Sequence, residues 1–105
     1  MNFSYYILDI KDCSSLKEIR HHIDLLDREI VLLLAKRGEY VRQAAKFKEN
    51  IGSVEDKHRI NEIITKVEKY ANEINFDSSI VSQIYEFMIR IYVEYEKKSF
   101  RQRKY

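Results

Sequence analysis

From Leu16 onward the apolar residues recur every three or four positions: Leu16, Ile19, Ile23, Leu26, Ile30, Leu33, then Tyr40, Ala44, Phe47 and Ile51. This alternation predicts one long amphipathic helix. Ser14 or Ser15 supplies its N-cap, with Glu18 three residues after Ser15 as in a capping box. Gly52 supplies its stop. About 35 helical residues would extend roughly 50 Å, whereas a compact chain of about 100 residues has a radius of gyration near 13 Å. The helix would project beyond a compact monomer, and a second chain covering the exposed seam is the simplest remedy. An intertwined homodimer is therefore expected.

The pattern then breaks and restarts twice. A second helix is predicted after Ser53, with Asp56 giving first-turn negative charge and Ile60, Ile63, Ile64, Val67, Ala71 and Ile74 as its stripe. A third starts with Asp77 or Ser78 as N-cap. It turns Ile80, Val81, Ile84, Met88, Ile91, Tyr92 and Tyr95 inward and frays after Lys98. The expected fold is all-α, with three helices in one domain over residues 12–100. Residues 1–11 read as an arm, in which FSYYILDI is strand-like but lacks a partner. Residues 101–105 read as a basic tail.

Composition narrows the picture. With 105 residues the chain suits a single core, and no Pro with only 2 Gly leaves too few turns for a sandwich or barrel. A net charge of +2 is too small to argue for nucleic acid, and KKSFRQRKY reads as a solvated end. Cys13 is the single cysteine, which excludes an internal disulfide and fits a reducing cytoplasm. The helix after it offers no Cys/His/Asn arrangement for a nucleophile. No apolar run approaches the roughly 18 residues of a membrane span, and MNFSYYILDI lacks the basic start and cleavage site of a signal peptide. His21, His22 and His58 have no metal-ligand spacing with a third partner in the first helix and read as surface residues. No metal, cofactor, nucleic acid or membrane partner is expected.

One feature conflicts with the hydrophobic pattern. Arg37 falls on the apolar stripe and Lys48 beside it. At about 100° per residue, 11 positions bring the two to within about 20° of one azimuth and place their Cα atoms about 16 Å apart. Arg20, 17 positions before Arg37, points roughly 100° away. A buried cation without a partner is costly. Either these side chains snorkel or pair with Asp27, Glu29 or Glu39 across a dimer, or their partner is an anionic ligand.

The run DCSSLKEIRHHIDLLDREIVLLLAKRGEYVRQAAKFK, residues 12–48, resembles the first helix of the all-helical chorismate mutase family. It is most similar to the isochorismate–pyruvate lyase branch, which makes salicylate for siderophores. The resemblance covers about residues 12–98 and is weaker in the second and third helices. It implies a three-helix intertwined dimer with two equivalent sites and no cofactor. Arg37 and Lys48 would enter a site from one chain and Arg20 from the other. An early second-helix Arg matches Arg59, flanked by Asp56 and Ile60 among the substrate-contacting positions. The substrate would be a dicarboxylate enol ether, isochorismate or chorismate. Arg20 and Arg37 would hold its carboxylates, and Lys48 would face the ether oxygen.

Two positions depart from the family pattern. Glu96 stands where the family has a late Gln, and would have to be protonated to donate a hydrogen bond. Otherwise it is a solvated carboxylate at the helix end. Ile60 follows Arg59 where mutases of the family commonly carry a Glu for the ring 4-hydroxyl, which favours isochorismate over chorismate. A mutase and a non-catalytic helical dimerisation module are the alternatives. Residues 49–58, between the first two helices, read equally as a mobile lid or a static turn.

Overall fold

The computed structural model describes residues 8–102. Most of the strand-like stretch FSYYILDI and the last three residues of the basic tail lie outside that range. Three helices carry the fold: α1 (Leu16–Ala44), α2 (Lys57–Glu73) and α3 (Ser78–Gln102). Among the described residues there is no strand.

Local chemistry explains most boundaries. Ser15 is the N-cap of α1, its hydroxyl accepting from the Glu18 amide at 3.1 Å. α2 begins at Lys57 rather than just after Ser53: Asp56 lies outside the first turn as the N-cap, accepting from the Arg59 amide at 3.0 Å. Asp77 does the same for α3 through the Ser79 amide at 2.9 Å. The α2 end is a Schellman turn: Phe76 N–H bonds to the Ala71 carbonyl and Asn75 N–H to that of Asn72. Asn75 adopts the required left-handed backbone at φ 57°.

Other expectations are corrected as well. α1 ends at Ala44, not near Ile51. It tightens into a 3-10 turn over Ala45–Phe47, Lys48 is extended, and a second 3-10 turn spans Ile51–Ser53. Asn50 competes with helix continuation: its side chain accepts from Ser53 N–H at 3.1 Å while its carbonyl accepts from Ser53 Oγ at 2.7 Å. Gly52 is not a left-handed stop, since neither glycine has a positive φ. α3 also runs past Lys98 to Gln102, because Phe100 is buried and secures its last turn.

A further correction concerns the core. α3 packs on both α1 and α2. A small cluster of Ala45, Val54 and Phe100, with Val93 against it, pins the α1–α2 connection to the end of α3. Gly38 is buried against α3: a Cβ there would meet the Tyr92 ring at 3.4 Å. Much of the apolar stripe, however, is not covered within one chain. Among the exposed large apolar residues of α1, exposure runs from 37% at Leu34 to 73% at Tyr40, and Phe47 is open to solvent. Ile80, Ile84, Ile91 and Tyr95 of α3 are exposed rather than inward. Ile30, Leu33, Ile84, Phe87, Met88 and Ile91 line one apolar groove between α1 and α3. The chain is elongated, 55 × 26 × 17 Å, with a radius of gyration of 17.4 Å. No helix among the described residues is long and apolar enough to cross a membrane.

Candidate active site

The half-buried Arg37 and Lys48 and the exposed Arg59 border one open cavity of about 350 Å³, bounded by the last turns of α1, the connection, the start of α2 and the second half of α3. Arg37, Lys48, Asp56, Arg59, Ile60 and Glu96 all line it, with Tyr40, Val54, Ile89 and Tyr92 among the remaining wall residues.

Arg37 comes from α1, one residue before the close approach at Gly38. Its guanidinium lies over the Tyr92 ring, 4.7 Å from the centroid. The Tyr92 hydroxyl donates to the Leu34 carbonyl, so the ring is anchored to the helix that carries Arg37. Glu39, a possible neutraliser by sequence, pairs with Arg42 at 3.0 Å instead. Among the described residues no carboxylate forms an ion pair with Arg37.

Lys48 reaches the cavity by a route the helical wheel did not anticipate. The chain leaves the helix before it, and its extended backbone (φ −86°, ψ 135°) redirects the side chain. Lys48 Nζ donates to the Ser53 carbonyl at 3.3 Å and lies 3.9 Å from Glu96 Oε2. The shared azimuth derived for a continuous helix is therefore not what brings Arg37 and Lys48 together.

Glu96 is 8% exposed, and its Oε2 is buried without a hydrogen bond from the described residues. It is not a solvated helix-end carboxylate. Burial pushes its pKa above the ordinary glutamate value, and the nearby Lys48 ammonium opposes that shift only in part. A protonated carboxyl here gives a hydrogen-bond donor inside the cavity.

Arg59 sits in the first turn of α2 and is tied to Glu62 by an ion pair. Lys66 joins the same carboxylate at 3.6 Å. Asp56 belongs to the cavity wall, but its Oδ1 is engaged by the Arg59 amide, so it holds the turn that carries Arg59. Ile60 presents an apolar side chain beside that arginine. Arg20 is exposed and absent from the cavity. It lies 17 residues before Arg37 on α1, about 25 Å along the axis, beyond the reach of its side chain within one chain.

Tyr92 and Val54 were missed as wall residues by sequence reasoning. Tyr92 read as packing only, although its i,i+4 relation to Glu96 puts both on one face of α3. Val54 gave no usable signal, since a lone Val in a connection shows no periodicity.

The arrangement can bind a small polyanion. Guanidinium forks match carboxylates in bidentate fashion, and the Lys48 ammonium stands beside the Glu96 carboxyl, whose pKa burial raises. It offers no paired nucleophile and base.

Residues 19–97 match the family model for chorismate mutase type II. The chain is 29% identical over 92 residues to an isochorismate pyruvate lyase from Pseudomonas aeruginosa, covering 88% of this chain and 91% of that protein. It is 32% identical over 75 residues to a chorismate mutase from Methanocaldococcus jannaschii, covering 70% of this chain and 76% of that protein.

Proposed function

The chain belongs to the type II chorismate mutase family, a family of enzymes, and from that membership we propose that it is an isochorismate–pyruvate lyase forming salicylate and pyruvate, with secondary chorismate mutase activity. The cavity carries this reading: Arg37, Lys48, Arg59 and Glu96 share one wall system, with an apolar Ile60 next to Arg59.

Both reactions are pericyclic. In the elimination the ether C–O bond breaks while a ring hydrogen passes to the enolpyruvyl methylene, so pyruvate leaves with the oxygen and the ring becomes aromatic. Negative charge grows on that oxygen in the transition state. Lys48 and protonated Glu96 are the donors for it, favouring the transition state over the ground state. Arg37 and Arg20 hold the two carboxylates, with Arg59 as a further substrate contact, and keep the enolpyruvyl arm folded over the ring. Asp56 acts through the turn that carries Arg59.

Arg20 enters from a second chain in an intertwined homodimer. The uncovered apolar face of α1 and the elongated shape of the single chain support that assembly. Ile60 supports isochorismate as the main substrate, because an apolar contact asks for no ring hydroxyl at that position. The mutase reading is favoured by the 32% identity to the archaeal chorismate mutase.

Offering each purified substrate separately separates the readings. Salicylate fluorescence should rise with isochorismate at a kcat/KM above that for loss of chorismate absorbance. Prephenate formation alone would make the protein a mutase. Neither signal would leave a helical dimerisation module.

Glu96 predicts a pH signature. The fold raises its pKa, so folding favours the protonated form, and activity and stability should both fall as pH rises through the raised value. Glu96→Gln keeps a neutral donor and should flatten the limb of the kcat profile that Glu96 controls. An identical profile in the variant would remove Glu96 from the mechanism.

A further inference from the structure

At the N-terminal end of α1, about 22–28 Å along the helix from Arg37, three groups of unlike chemistry converge. Cys13 comes from the segment before the helix. Glu18 and His22 stand one turn apart on a single helical face. One donor atom from each (the thiol sulfur, a carboxylate oxygen and an imidazole nitrogen) lies within 4.8 Å of the other two, and all three residues are half-buried. Sequence spacing found no third partner for His22 because Cys13 lies outside the helical period. The capping turn at Ser14 and Ser15 brings it back against the first two turns of α1.

Glu18 is already oriented. Its Oε2 accepts from Ser14 N at 3.2 Å and from Ser14 Oγ at 3.1 Å. These bonds, led by the backbone one, hold the carboxyl below its ordinary pKa, with a smaller contribution from His22. A ligating carboxylate is commonly fixed by hydrogen bonds of this kind behind it.

We propose that Cys13, Glu18 and His22 form a binding site for a borderline-soft divalent cation, with Zn²⁺ the best match to a thiolate, imidazole and carboxylate donor set. Mg²⁺ and Ca²⁺ prefer all-oxygen cages and fit it poorly. Metal–ligand distances of about 2.0–2.3 Å ask the donors to draw together by about 1 Å, which side-chain torsions supply. Three protein ligands leave the fourth position to water or an added ligand. The ion would tie the segment before α1 to its first two turns and stabilise the fold by linkage.

The test uses the full-length chain, reduced and metal-free, titrated with CoCl₂ and then with ZnCl₂. A thiolate-to-cobalt charge-transfer band should appear, saturate at one ion per chain, and be displaced by zinc. Cys13→Ser should abolish the band, and His22→Ala should weaken zinc binding by more than about tenfold. His21→Ala, next to the site, should change neither. Zinc should raise the melting temperature of the parent chain but not of Cys13→Ser, with far-ultraviolet circular dichroism establishing that each variant is helical. Absence of the band, its survival in Cys13→Ser, or equal losses in His21→Ala and His22→Ala would overturn the site. Turnover of isochorismate or chorismate is not a readout here, so either result leaves the reaction assigned to the cavity untouched.

Discussion

Lys48→Ala should lower kcat for isochorismate by about 10²–10³, the loss of about 2.7–4 kcal/mol expected when one preorganised donor to a developing oxyanion is removed. The size follows from its surroundings. Lys48 Nζ is held by the Ser53 carbonyl and faces the buried Glu96 carboxyl across 3.9 Å. It therefore needs little reorganisation to meet negative charge. KM should change less than kcat, because the charge on the ether oxygen appears only in the transition state. The variant should remain folded: without the ammonium, Glu96 loses the one influence that lowers its pKa and stays protonated over a wider pH range. A variant that turns over isochorismate within tenfold of the parent would remove Lys48 from the chemistry. Steady-state kinetics by salicylate fluorescence, with size-exclusion chromatography to check assembly, make the comparison.

The second large effect is a recovery. Arg20→Ala and Lys48→Ala should each be nearly inactive alone, yet after unfolding together and refolding, the mixture should regain about one quarter of the parental activity. Random pairing makes half the dimers mixed, and in each mixed dimer two-fold symmetry leaves one site with both cations and one with neither. The expectation rests on distance. About 25 Å of helix separates Arg20 from Arg37, and Arg20 is exposed away from the cavity, so it serves such a site only when a partner chain brings it in. A refolded mixture no more active than the two variants measured separately would sink the shared site. Full activity of Arg20→Ala alone would do so as well.

These experiments bear on residues whose positions were legible to different degrees. The three helices and the caps of the first and third could be read from the linear pattern, because a capping bond and a 3.6-residue stripe are local properties; the second was expected to begin after Ser53 with Asp56 inside its first turn, whereas Asp56 is its cap. Ser15, Asp56 and Asp77 lie within three residues of the amides they bind. Arg37 and Lys48 were also visible, since a charge on or beside an apolar stripe conflicts with its neighbours whatever the fold, whereas Arg20 and Arg59 were assigned to the site through the family resemblance. The intended burial partner was not visible. Ile84 and Ile91 sit on a regular stripe yet remain exposed in the chain, because periodicity marks an apolar face without saying whether the same chain or another one covers it.

How the cavity closes depends on contacts between residues far apart in the chain. An unbroken helix would have carried Lys48 about 16 Å beyond Arg37. The helix stops at Ala44 instead, because burial of Ala45 and Val54 against Phe100, more than forty residues later, outweighs the helical preference of the connecting segment. That burial turns Lys48 toward Ser53 and Glu96. The state of Glu96 has the same origin: its register on α3 is written in the sequence, but its raised pKa comes from the surface that α1 and the connection remove from water. Local bonding rules operate over a few residues and so survive in the linear order. Desolvation and the meeting of opposite charges exist only once distant segments are packed together.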